Sequence, residues 1–165
     1  MKIRIAALVN DSIVDGPGLR YAVYTQGCLH HCKGCHNPQT HDINGGYETD
    51  TEDIWREISE NPLLSGITFS GGDPLLQPRP LTELAKKAGE EGLSIWCYTG
   101  WVWEDLLRKN DPDIMALLNE IDVLVDGPFL SEQRTLELPF RGSKNQRLID
   151  VQRSLRSGRT EEFLC

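Results

Sequence analysis

Three thiols sit within eight residues, Cys28-Leu29-His30-His31-Cys32-Lys33-Gly34-Cys35, at the spacing C-x3-C-x2-C. Cysteine thiolate is the soft ligand of iron–sulfur clusters and zinc. Three thiolates from one loop can cap three corners of a four-iron cubane and leave one iron without a protein ligand. An open metal position is where a substrate or cofactor binds, so the loop points to chemistry more than to structure. Structural zinc is the rival. It takes four ligands, commonly as two separated pairs, and here there is one triplet. Its fourth ligand would have to come from His36, His41, Cys97 or Cys165. A ferredoxin loop fits poorly, because its clusters are ligated by four cysteines. Cys97 sits in an apolar stretch and reads as core, and Cys165 as a free terminal thiol. His30 and His31 are consecutive and poorly placed to share one metal. They read as exposed groups or hydrogen-bond donors to cluster sulfurs.

A second constellation is Ser70-Gly71-Gly72-Asp73-Pro74. Paired glycines let a ligand approach the backbone closely, and Asp73 adds a carboxylate suited to a ligand ammonium group. Alone, such a turn most often only reverses the chain. Arg141, Lys144 and Arg147 form a basic cluster that reads either as a solvated segment or as a contact for an anionic partner. Trp96, Trp101 and Trp103 read as packing residues.

The elements that would position these residues follow from periodicity and turn chemistry. Residues 2–9 suggest a short edge strand, and residues 21–26 the first core strand, with the cysteine loop directly after it. Residues 36–50 look irregular. Helices are expected over 51–58, 80–91, 102–108 and 113–120. Further strands are expected over 66–70, 93–98, 121–125 and 148–151. Strand, loop and helix alternate, which implies right-handed βαβ units and a mainly parallel α/β sheet. The cysteine loop and the Gly-Gly-Asp turn then share the strand-end rim where such folds bind ligands. We expect one domain over residues 1–152 and a loose, polar tail over 153–165.

At 165 residues and 39% hydrophobic content the chain can bury one substantial core. A formal net charge of −8 argues against general nucleic-acid binding. No apolar stretch approaches the ~20 residues of a membrane span. The expected location is the cytoplasm, where clustered cysteines read as metal-binding and not as disulfides.

The triplet Cys28, Cys32 and Cys35 and the Gly-Gly-Asp-Pro turn together resemble the radical S-adenosylmethionine (SAM) superfamily. The segment Asp15-Gly16-Pro17-Gly18-Leu19-Arg20 is similar to the lead-in of its glycyl-radical-enzyme activases. Tyr98-Thr99-Gly100, Val125-Asp126-Gly127-Pro128-Phe129 and Arg141-Gly142-Ser143-Lys144-Asn145-Gln146 narrow the resemblance to the activators of anaerobic ribonucleoside-triphosphate reductase. The resemblance covers residues 12–150. It implies an incomplete, open (β/α) barrel with one [4Fe-4S] cluster on the three cysteines. SAM would chelate the fourth iron. The turn at Gly71, Gly72 and Asp73 would meet its methionyl amine, and Gly34, Cys35 and His36 would contribute further contacts. Reductive cleavage of SAM would yield a radical that takes a hydrogen atom from a glycine of the reductase. A reducing donor such as a flavodoxin is implied as a second partner. Many superfamily members carry an aromatic residue just before the third cysteine, where this chain has Gly34. The alternatives are activation of pyruvate formate-lyase, a small-molecule radical SAM reaction, or a zinc-stabilised binding module.

Overall fold

The computed structural model describes residues 1–164, and Cys165, expected to be a free terminal thiol, lies outside the described residues. Seven strands form one open sheet: β1 (Lys2–Ser12), β2 (Arg20–Thr25), β3 (Tyr47–Asp50), β4 (Gly66–Gly71), β5 (Ser94–Tyr98), β6 (Val123–Asp126) and β7 (Arg147–Asp150), in the order β3-β1-β2-β4-β5-β6-β7. The four central strands β2, β4, β5 and β6 run parallel. The three outer strands join antiparallel. The α/β class therefore holds, with parallel pairing confined to the strands that frame the rim. β1 is not the short edge strand expected over 2–9. It pairs on both sides, and β3 takes the edge. β3 falls within the stretch read as irregular because four residues, Tyr-Glu-Thr-Asp, are too few and too polar to show alternation.

Successive strand side chains point to opposite faces, and the two faces have different partners. Tyr21, Val23, Ile67, Phe69, Ile95, Cys97 and Leu124 form one buried layer. Against it pack α1 (Thr51–Ser59), α2 (Pro78–Glu90), α3 (Trp103–Lys109) and α4 (Pro112–Leu118) through Ile54, Leu81, Leu84, Leu106 and Leu117. Local chemistry sets the helix ends. Asp50 accepts from the Glu52 amide, Asp111 from those of Asp113 and Ile114, and Asn110 stops α3 in the left-handed region. Cys97 is fully buried in this layer, and burial pushes its thiol up, as expected of a core cysteine.

Trp96, Val123, Val125 and Leu148 lie on the opposite face, with Phe140 and Phe163 laid over them. There the 13–19 loop is more than a turn. Arg20 is fully buried and donates to Thr68 Oγ1 (2.7 Å), to Ser94 Oγ (2.8 Å) and to three backbone carbonyls. Burial lowers its pKa to about 10. Thr68 in turn donates to the Asp15 carbonyl, and the Asp15 carboxylate accepts from Tyr24 and Ser12. These bonds hold the loop against the sheet.

Within the stretch expected as a loose tail over 153–165, residues up to Phe163 are bonded to the fold. α5 (Val151–Ser157) starts on an Asp150 cap and ends at Gly158, φ +72°. The chain then returns to the sheet: Asp150 N–H donates to the Glu161 carbonyl (2.8 Å) and Phe163 N–H to that of Leu148 (2.7 Å). The Phe163 ring meets Trp96 edge-on at 5.5 Å. One aromatic ring, two backbone bonds to β7 and side-chain bonds of Ser154 and Thr160 do this work, a signal too scattered for periodicity to reveal. We expect Phe163→Ala to lower the unfolding free energy by about 1–3 kcal/mol in urea titration. An unchanged midpoint would mean that the segment contributes nothing to the fold.

Candidate active site

The parallel strands end on one rim, and each is followed by a loop bearing chemistry: Gln26-Gly27-Cys28 after β2, Gly72-Asp73 after β4, Thr99-Gly100 after β5, and Gly127-Pro128-Phe129 after β6. Between them lies a cavity of about 230 Å³ whose walls include Cys28, Cys32, Cys35, Gly71, Gly72 and Phe129. A larger hollow of about 790 Å³ opens at the opposite strand ends, beside Ser94 and Asp122, and is lined by no thiol or imidazole. The chemistry-bearing residues therefore single out the smaller cavity.

Backbone bonds hold the cysteine loop. Gly27 N–H donates to the Thr40 carbonyl (2.7 Å), Cys28 N–H to that of His41 (3.1 Å), and Cys35 N–H to that of Cys32 (3.1 Å). Asn37 N–H donates to Cys35 Sγ at 3.4 Å. Burial pushes the Cys28 thiol up, opposed by the backbone N–H groups of His30 and His31. Cys28, Cys32 and Cys35 line one cavity, a set of soft donors whose chemistry suits an iron–sulfur cluster.

The Gly-Gly-Asp turn is built differently from expectation. Gly71 has φ +100°, and a Cβ on Gly72 would lie 2.2 Å from the Gly27 carbonyl oxygen. Gly72 N–H donates to the Thr25 carbonyl and Asp73 N–H to that of Gly27, both at 2.8 Å. The glycines are thus required first by the close approach of two backbones, while the turn still borders the cavity. The Asp73 carboxylate, only 1% exposed, does not line the cavity. It accepts from Leu75 N–H (3.0 Å), Thr99 Oγ1 (3.0 Å) and Gly100 N–H (3.0 Å), and bonds His30 Nε2 at 2.5 Å. These bonds tie the carboxylate to three neighbouring loops. His30 is docked, not exposed. Its ring lies edge-on to Trp101, and a Cβ on Gly100 would come within 2.6 Å of it.

With this geometry in place, comparison with known proteins is decisive. A family described as a 4Fe-4S single cluster domain matches residues 14–149. The anaerobic ribonucleoside-triphosphate reductase-activating protein of Vibrio cholerae is 38% identical over 143 residues, covering 81% of this chain and 89% of that protein. The chain belongs to this activating-protein family. The phage T4 protein of the same name is 34% identical, covering 82% of this chain and 86% of its own length. A pyruvate formate-lyase-activating enzyme from Clostridium pasteurianum is 39% identical over 117 residues, but only 49% of it is covered. The solved structure of QueE from Escherichia coli overlaps 61% of this chain and 53% of its own at 17% identity, with a TM-score of 0.47.

Within the family's site, the remaining expected residues are placed as follows. Gly34 adopts φ +74° and faces the Phe129 ring, and His36 lines the cavity with its ring 4.9 Å from that of Phe129. The basic cluster at 141–147 is not one surface. Arg147 is held by the buried Asp126 (2.6 Å) and by Glu104 (2.6 Å), and the pairing keeps the Glu104 carboxyl below its usual range. Lys144 is exposed. Sequence reasoning missed His30 and Thr99 as partners of Asp73, since nothing local in the sequence links residues 30, 73 and 99.

Asp73→Asn sets an amide donor against the groups that now donate to the carboxylate and removes the charge that binds them. We expect it to cost about 1.5–3 kcal/mol of stability in the cluster-free protein, read by denaturant unfolding. An unchanged stability would assign the carboxylate to ligand contact alone.

Proposed function

We propose that this chain generates a glycyl radical on an anaerobic ribonucleoside-triphosphate reductase, using a [4Fe-4S] cluster and SAM. The observation that carries the reading is the cavity at the ends of the parallel strands, walled by three thiols of one loop in a chain of this family. In this reading Cys28, Cys32 and Cys35 each hold one iron and leave the fourth open. When bound, the reduced cluster supplies the electron that splits a carbon–sulfur bond of SAM.

The chain's own residues do the positioning. The amides of His30, His31 and Asn37 stabilise the thiolates. The backbone at Gly71 and Gly72 borders the place of the methionyl group, with Gly34 and His36 beside the third cysteine completing that wall. Asp73 acts by bracing the turn from within. The cavity floor at Tyr98 is fixed by the sheet, and burial pushes its hydroxyl well above the usual range.

The domain extends through the returning segment at 161–164. The electron donor we propose is a low-potential protein such as a flavodoxin, and the compartment is the reducing cytoplasm, where such thiols stay free. Among the described residues no helix is long and apolar enough to cross a membrane. The Clostridium relative makes pyruvate formate-lyase the second candidate partner. The chain spans about nine-tenths of the Vibrio protein and half of the Clostridium one, which favours the reductase.

Purified without oxygen, the protein should hold about four irons, as expected for one cubane, and should convert SAM to methionine once reduced. Alanine at Cys28, Cys32 or Cys35 should abolish both, whereas Cys97→Ala should keep the iron. A colourless protein with one tightly held zinc would overturn this assignment.

A further inference from the structure

The segment 141–146 spends its side chains on one task. Gln146 Nε2 donates to the Gly127 carbonyl (3.1 Å), Asn145 Nδ2 donates to that of Pro128 (2.8 Å), and Ser143 Oγ accepts from Leu130 N–H (3.2 Å). These three bonds clamp the backbone on both sides of Phe129. The clamp is itself fixed, because Gln146 Oε1 accepts from the amides of Gly142 and Ser143 (2.8 and 3.2 Å).

The residue so held is not a core residue. Phe129 is half-buried and belongs to neither hydrophobic cluster of the fold. Its ring forms part of the wall of the thiol-lined cavity. Two glycines flank it: a Cβ on Gly142 would lie 3.1 Å from the ring, and one on Gly34 3.6 Å. The His36 ring is tilted against it at 50°. Phe129 reaches the backbone at Gly34, beside Cys35, from the loop after β6. An aromatic ring that is rigidly held, outside the core and open to a cavity is a stacking surface for a flat heteroaromatic group.

We propose that Phe129 is the surface on which the adenine base of SAM stacks, and that Ser143, Asn145 and Gln146 are positioning residues that hold it there. The inference rests on the activase reading and deepens it. It also gives the polar 141–146 segment a task, which is to aim an aromatic side chain and not to meet an anion.

The test measures binding, not turnover. Equilibrium dialysis of the cluster-loaded, unreduced protein gives the affinity for SAM and for methionine, which carries the same amine and carboxylate but no base. Phe129→Leu keeps the apolar bulk and removes the aromatic face. It should weaken SAM binding roughly tenfold, with iron content and methionine affinity as in the wild type. Phe129→Tyr should bind SAM within about twofold of the wild type, and Gln146→Ala should weaken SAM in the same sense as Phe129→Leu. A Leu variant that binds SAM normally, or loses methionine equally, would overturn the assignment. So would a Leu variant unable to hold the cluster, which would make Phe129 a packing residue of the cysteine loop. Iron-loaded wild type that fails to bind SAM would instead overturn the activase reading itself.

Discussion

A carboxylate removed from water is tolerated only when protein donors replace its hydration. Asp73 meets that demand by drawing donors from three separate loops. The Leu75 amide comes from its own turn, Thr99 and Gly100 from the loop after β5, and His30 from between the first two cysteines of the triplet. Backbone bonds from Gly72 N–H to the Thr25 carbonyl and from Asp73 N–H to that of Gly27 already join the turn to the start of the cysteine loop. The carboxylate adds side-chain ties, to His30 within the cysteine loop and to Thr99 and Gly100 in the loop after β5.

The same economy runs through the rest of the rim. Gly72 is glycine because the Gly27 carbonyl oxygen occupies the place of a Cβ, and Gly100 because the His30 ring does. Gln146 and Asn145 fasten the loop after β6 much as Asp73 fastens the others. Polar side chains close the loops upon one another, and the cavity wall keeps the three thiols beside the rings of His36, Tyr98 and Phe129. A small chain thus keeps its site rigid with little material around it. The outward-facing cavity suits an enzyme whose substrate is a glycine residue on a large partner, because the partner can supply the missing cover.

How much of this was legible in the sequence depends on the range of the interactions. The thiol triplet, its place after a β-strand and the Gly-Gly turn after the next are local patterns, and they stood out directly. The four central strands were legible because they alternate apolar residues between capped helices. β3 and the return of residues 161–163 were not, because short polar segments carry no periodicity and are ordered by bonds to distant residues. The bonds of Asp73 to His30 and Thr99 are not legible in the sequence, because they join residues far apart in it. A carboxylate after two glycines reads as a ligand group until the positions of His30 and Thr99 are known. The basic residues of 141–147 were similarly ambiguous, and the structure divides them: Arg147 is neutralised by Asp126 and Glu104, and the amides beside it brace a loop.

The most direct measurement is electron paramagnetic resonance. The protein, its cluster intact, would be mixed without oxygen with the anaerobic ribonucleoside-triphosphate reductase of the same organism, SAM and a reductant. This account predicts a glycyl doublet on the reductase that requires SAM and is absent with the Cys32→Ala protein. A reductase that stays silent while SAM is consumed would contradict it and assign the chemistry of this cavity to a different substrate.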